Sequence, residues 1–409
     1  MEKFILSSGR KTVFIMGAGA SKDDNIPVQN EILDRILKGR FAYAAKYPKT
    51  SAGREYVKIS SQINKFVSLV FGKSAPENLS LESLFNILET ALDKRENIGK
   101  ADLRDIRNYY RYLIQGVMYA TRTTADVEIH NVKKHLSKPA GSIKSPYTEL
   151  GVKIRKNYVS EDVNFSFINF NYDICLDRVL LSMHDKEPGK SFDLDYGIDL
   201  GNYDLSAEHK FSFNRPRLKN RKVFLLRPHG SVNWLFCRSC GRVFSKLTSQ
   251  NRVDDIKEGT QCYSCKLTNL EPYIVYPSYN RIYENKHLLK IWMSMENLLT
   301  QADKWCFVGY SLPDADRYFS YVLTRVYNLR KSLNSAPEVS VVNINNAVKK
   351  QEEIAAFIKK SGISLNPDGY FKETVKDKDV FKRFSVYFDN IIKYECSFKE
   401  FTFKYLGVK

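Results

Sequence analysis

The sequence predicts an α/β protein: a Rossmann-like, doubly wound parallel sheet with a large helical insertion and a small zinc-knuckle module. Three observations predict it. Short apolar runs at 11–16, 164–170, 223–226, 305–308 and 339–344 are separated by helical text, as strands buried on both faces are. The first run, Val13-Phe14-Ile15-Met16, opens directly into Gly17-Ala18-Gly19-Ala20-Ser21. Two Cys-x-x-Cys pairs, Cys237/Cys240 and Cys262/Cys265, interrupt the strand series between 226 and 305.

The bulk properties fit a globular chain of this kind. A length of 409 residues suits two or three domains, or one large domain with insertions. Apolar content of 43% and charged content of 27% are ordinary for such proteins. The N-terminus carries no apolar h-region, and no apolar run reaches about 18 residues. The expected location is therefore the cytoplasm, with no membrane association. A net charge of +18 attracts polyanions at a distance. Only 215–222 is a dense basic cluster, and it lacks interleaved aromatics for base stacking, so direct nucleic-acid recognition has thin support.

Along the chain, the strand at 11–16 is followed by largely helical text from 28 to 158, including Val28–Leu37, Leu79–Leu92 and Leu103–Tyr119. Lys46–Arg54 and Thr121–Ser145 look like polar connections within it. Strand character resumes at 164–170, and Ile174, Leu176, Val179 and Leu180 then take helical spacing. A helix at 349–360 precedes a charged, aromatic-rich tail to Lys409. The expected organisation is an interrupted sheet domain (1–27 and 159–346), a helical insertion (28–158), a metal-binding insertion (235–268) and a C-terminal extension (347–409). That extension is a candidate oligomer or partner interface.

Several segments bear chemistry, and each has a plain alternative. Gly17 permits a tight turn, Gly19 lets the backbone approach a phosphate, and Ser21 offers a hydroxyl; without the third glycine of the dinucleotide fingerprint, the same residues also make an ordinary turn. Asn171 and Asp173 stand at the carboxyl end of a strand, where ligands bind in open α/β sheets, or they cap the next helix. His229, before Gly230, is either a general base or a turn residue bonded to backbone. Gly309-Tyr310-Ser311-Leu312-Pro313-Asp314-Ala315-Asp316 reads as a second ligand loop or as a strand-to-helix turn with aspartate capping. Asn343, Asn345 and Asn346 hold a ribose or close a turn. The four paired cysteines are the strongest local signal. Four thiolates close a tetrahedral zinc site with no open position, which makes the metal structural.

In this order, the Gly-Ala-Gly-x-Ser turn, Asn-x-Asp, His-Gly, the two cysteine pairs, Gly-x-Ser-Leu and Ile-Asn resemble the sirtuin family. The likeness covers about 11–27 and 163–346. The wording of 309–316 is most similar to the bacterial sirtuin-like proteins of antiphage defence, which destroy NAD. The resemblance implies that Gly17, Ala18, Gly19 and Ser21 line the pyrophosphate. It further implies that Asn171 and Asp173 face the nicotinamide and its ribose, and that His229 is the catalytic histidine. Gly309 and Ser311 would contact a phosphate or ribose, and Asn345 the adenosine ribose. The chain departs from the deacylases of the family at Ile26-Pro27-Val28-Gln29 and at Glu271–Ser278, where they carry a Phe-Arg pair and a peptide clamp.

The function expected from this resemblance is NAD+ hydrolysis at the nicotinamide–ribose bond, depleting NAD in abortive antiphage defence. Asn171 would orient water or ribose, and His229 would take the proton. Zinc would be structural, and NAD the substrate. The alternatives are an idle NAD or ADP-ribose sensor or scaffold and, second, an NAD-dependent protein deacylase. Regulation by assembly implies a homo-oligomer and a HerA-type ATPase partner or, as the lesser alternative, an Argonaute-like protein.

Overall fold

The five apolar runs do form strands, and they lie side by side. A computed structural model describes residues 3–7, 9–41, 51–72, 79–121, 130–139, 141–158, 164–183, 192–203, 211–214, 221–245, 261–275, 286–313, 316–344 and 379–408. Its strands are β1 (Phe4–Leu6), β2 (Lys11–Met16), β3 (Asn164–Asn169), β4 (Phe192–Asp195), β5 (Leu200–Tyr203), β6 (Phe211–Asn214) and β7 (Arg221–Leu226). There follow β8 (Gly230–Phe236), β9 (Val243–Ser245), β10 (Glu271–Ile274), β11 (Lys304–Val308), β12 (Glu338–Asn343), β13 (Ile391–Glu395) and β14 (Leu406–Val408). The main helices are α1 (Gln29–Leu37), α2 (Ser51–Phe71), α3 (Leu81–Lys94), α4 (Leu103–Ala120) and α5 (Pro146–Tyr158). The remainder are α6 (Cys175–Met183), α7 (Lys286–Gln301), α8 (Arg317–Ser332) and α9 (Val380–Tyr387).

The central sheet is seven-stranded and parallel throughout, in the order β13-β12-β11-β2-β3-β7-β4. Its middle strands are apolar on both faces, and Phe14, Ile15, Met16, Phe167, Ile168 and Phe307 are fully buried. Register puts Val13 between Trp305 and Ser166, and the Phe14 and Phe167 rings stack at 5.4 Å. The chain leaves β2 toward β3 and later returns to β2's other edge as β11. The loops after β2 and β11 therefore start side by side at the carboxyl end of the sheet, where strand order reverses.

Among the described residues of 28–158 the regular structure is helical, apart from one short bridge between Ile98 and Ala101. Helices α1 to α4 close their own core around Ile36, Ile59, Phe66, Leu84, Leu88, Leu113 and Val117. Caps set their starts: Ser80 Oγ accepts the amide of Ser83 at 3.0 Å, and Asp102 Oδ1 accepts those of Arg104 and Asp105. Ile174, Val232 and Ile274 join this core to the strand-bearing region.

A second, five-stranded mixed sheet, β10-β8-β9-β5-β6, is built from the chain between β4 and β11, with the central strand β7 lying between β6 and β8 in sequence. Sequence reading assigns a metal insertion here and misses the sheet. The segment 379–408 of the C-terminal extension builds into the core. Strand β13 pairs in parallel with β12, β14 pairs with β1, and the Phe401 ring lies 5.7 Å from that of Phe4. The helix expected at 349–360 lies outside the described residues, as does most of the basic cluster 215–222. Among the described residues, no helix is long and apolar enough to cross a membrane.

Candidate functional site

Strand β2 ends at Met16, and Gly17 leads directly into a 3-10 helix, Ala18–Asp24. Both glycines are required by a close backbone crossing. A Cβ on Gly17 would sit 2.5 Å from Tyr310 Cα, and one on Gly19 would sit 2.9 Å from Gly309 Cα. Gly309 is the third member of the crossing: its φ is +59°, and a Cβ there would come within 2.1 Å of the Ala20 nitrogen. The amide of Gly17 donates to Val308 O and that of Gly19 to Gly309 O, both at 2.9 Å. The two loops after β2 and β11 are thus one locked unit.

Asn171, just past β3, is locked onto that unit. Its Nδ2 donates to Gly17 O at 2.9 Å and to Ser21 Oγ at 2.9 Å, with Tyr147 Oη at 3.3 Å. Gly17 O can only accept, so the amide orientation is fixed and Oδ1 points the other way. Asn171 Oδ1 accepts no hydrogen bond from a described residue. Ser21 is fully buried, and its hydroxyl donates to Asp173 Oδ2 at 2.8 Å. Asp173 Oδ1 accepts the amide of Cys175 at 3.0 Å, an Asx-type bond that starts α6. Tyr147 lies 2.8 Å from Ser21 Oγ, and burial followed by the Asp173 charge pushes its pKa well above the ordinary range.

Beneath these residues runs Arg227, which is fully buried between β7 and β8. It donates to the carbonyls of Asn171 (2.8 Å) and Asp173 (2.9 Å) and is bonded to Asp177. Burial lowers its pKa to about 10, which leaves it a cation at neutral pH. A paired, multiply bonded arginine of this kind fixes the backbone of 171–173 in one geometry.

His229 is 8% exposed and stands at the turn into β8. Its Nε2 lies 3.3 Å from Asp316 Oδ1, and Tyr310 donates to Asp316 Oδ2 at 2.5 Å. Asp316 begins α8 but makes no side-chain cap bond; its carboxylate serves His229 and Tyr310 instead. The Phe170 ring packs edge-on against His229 at 5.1 Å and stacks on Tyr310 at 4.8 Å. Because Phe170 precedes Asn171, the His229 group and the Asn171 group share a wall. Burial, then Asp316, pushes the Tyr310 pKa well up, which keeps its hydroxyl a donor.

Gly17, Gly19, Ser21, Asn171, Asp173, His229 and Gly309 are therefore brought together at the carboxyl ends of β2, β3, β7 and β11. Ala18 is partly exposed on the turn, and Ser311 is exposed beyond Gly309. Asn345 lies outside the described residues. Asn343, at the end of β12, donates to Tyr310 O at 3.2 Å. Sequence reading missed Tyr147, Arg227 and the partnership of Asp316. The last left one trace, a carboxylate soon after a Gly-x-Ser turn; the other two leave none, because their partners lie far away in the chain.

The four cysteines Cys237, Cys240, Cys262 and Cys265 converge, with sulfur atoms within 4.8 Å of one another. The Cys237–Cys265 and Cys240–Cys262 separations are both 3.6 Å. Zn–S bonds of about 2.3 Å give tetrahedral edges of about 3.8 Å, so the donor set fits zinc. The two Cys-x-x-Cys turns repeat one geometry. Gly241 (φ +64°) and Lys266 (φ +59°) occupy the same left-handed position, and their amides donate to Cys237 O and Cys262 O. Such a cluster could bind a metal such as zinc. No protein-family model and no curated protein matches this sequence.

Proposed function

We propose that the chain is a sirtuin-like enzyme that hydrolyses NAD+ at the nicotinamide–ribose bond, with a Rossmann-like sheet as its scaffold and a structural zinc knuckle. The observation that carries this reading is that Asn171, held by Gly17 at the Gly17–Gly309 crossing, follows Phe170, whose ring packs against the Asp316-paired His229. Order reversal at that crossing is where an open parallel sheet receives a nucleotide.

In this reading the dinucleotide lies beside the turn at 17–19, whose Gly17 and Gly19 amides stay bonded to Val308 O and Gly309 O. The C1′–N bond breaks with its electron pair leaving on nicotinamide, a neutral pyridine, and C1′ gains oxocarbenium character. Asn171 Oδ1 accepts a hydrogen bond from water or a ribose hydroxyl and aligns it. His229 takes the proton as the water oxygen bonds to C1′, and Asp316 holds the imidazole in place. Asp173 and Ser21 act by fixing Asn171 rather than by touching the substrate. Depletion of NAD in antiphage defence, in company with a HerA-type ATPase, is the biological role that fits such an activity.

A second reading is a catalytically idle NAD or ADP-ribose sensor or scaffold subunit. The scaffold form draws on one observation: the amides of Gly17 and Gly19 already donate to carbonyls, so they are not open to a pyrophosphate as the turn stands. Incubation with NAD separates the readings. The hydrolase releases nicotinamide without peptide, a deacylase only with acylated peptide, and a sensor not at all.

A further inference from the structure

Behind the Ser21–Asp173 pair lies a second group of mixed donors that the NAD reading does not use. Asp24 ends the 3-10 helix that begins at Ala18, Cys175 opens α6, and His130 comes from the connection before α5. A carboxylate oxygen, an imidazole nitrogen and a thiol sulfur from these residues lie within 4.8 Å of one another, and all three residues are buried. We propose that Asp24, His130 and Cys175 form a buried site for a divalent cation of the zinc class, separate from the four-cysteine cluster.

The donors suit that class. Oxygen, nitrogen and sulfur together favour zinc over magnesium or calcium, which take oxygen alone. Asp24 Oδ2 and His130 Nε2 are 3.3 Å apart, and metal bonds of about 2.0–2.1 Å to each give a tetrahedral edge of the same length. His130 Nε2 meets Asp24 Oδ2, and the ring's other nitrogen, Nδ1, is buried without a hydrogen-bond partner, so no group other than Asp24 competes with a metal for the ring among the described residues. The surroundings are built to hold the donors still. Ser145 Oγ donates to Asp24 Oδ2 at 2.9 Å, and Ser182 Oγ on α6 donates to His130 O at 3.2 Å and accepts the amide of Val132 at 2.9 Å. Asp24 and the Cys175 thiolate balance a charge of plus two, with the thiol proton released to solvent on binding.

Such an ion would clamp the turn carrying Ser21 to the helix that follows Asp173. The test is zinc content and position in the purified full chain. Anomalous scattering at the zinc edge from wild-type crystals should give one peak among the four cysteines and a second between Asp24, His130 and Cys175. Metal analysis of Cys175→Ser and His130→Gln should show the loss of one zinc per chain, with the four-cysteine zinc retained. Zinc confined to the four cysteines overturns the proposal. If either variant fails to fold, the wild-type anomalous map decides alone.

Discussion

Nε2 of His229 faces the Asp316 carboxylate at 3.3 Å, across 87 positions of sequence, and Tyr310 holds the carboxylate from its other side. A histidine held by a buried carboxylate has one orientation, which is what a proton acceptor beside a fixed substrate needs. His229→Ala should lower nicotinamide release by about 10²–10⁴-fold. Asp316→Asn should act in the same direction but less severely, lowering kcat with little change in KM for NAD. Steady-state kinetics on variants with wild-type circular dichroism checks both.

The crossing of the two loops makes a stability prediction. Gly309→Ala places a methyl 2.1 Å from the Ala20 nitrogen at φ +59°, so it should cost more than about 2 kcal/mol. Gly9→Ala is the control: φ is +74°, but nothing lies within 4 Å, and the cost should stay near about 1 kcal/mol. Urea midpoints compare them.

Tyr147, Tyr196 and Tyr310 all have pKa values raised by burial. Above about pH 10 the unfolded chain ionises these phenols while the native protein keeps them neutral, so unfolding releases protons. Their contribution is intact below pH 10 and is lost as pH rises, by about 1.4 kcal/mol per pH unit for each tyrosine. Tyrosinate absorbance should show them ionising only together with unfolding.

Parallel β2, β3, β7, β11 and β12 were legible because strands buried on both faces read as apolar runs. The second sheet was not, because its buried positions are partly polar. In β8, Ser231 Oγ donates to Asn233 Oδ1 at 2.7 Å, and Asn233 Nδ2 reaches Ser245 Oγ in β9 at 3.3 Å. These side chains satisfy one another inside, which erases the hydropathy pattern. At the site, Asn171 and His229 could be picked out because each closely follows a strand. Tyr147, His130 and Ser145 could not, since they sit in or beside text that reads as a polar connection and meet their partners only through the fold.

The four-cysteine cluster should retain zinc through dialysis against a weak chelator. Cys262→Ser should release that ion and lower the thermal midpoint, because Cys237, Cys262, Leu235, Phe244 and Leu270 form a small core of their own around it. Metal analysis paired with a melting curve checks this. An unchanged zinc content would assign the ion elsewhere.

The central claim is most directly tested by nicotinamide release from NAD, without peptide, by the wild-type chain and by Asn171→Ala. Asn171 bridges Gly17 and Ser21, so its loss removes the aligned acceptor while leaving the parallel sheet in place. Release by the wild type that falls at least about 10²-fold in the variant is the predicted result. Equal release by both proteins, or none from the wild type alone and with its co-purifying partner, would contradict it.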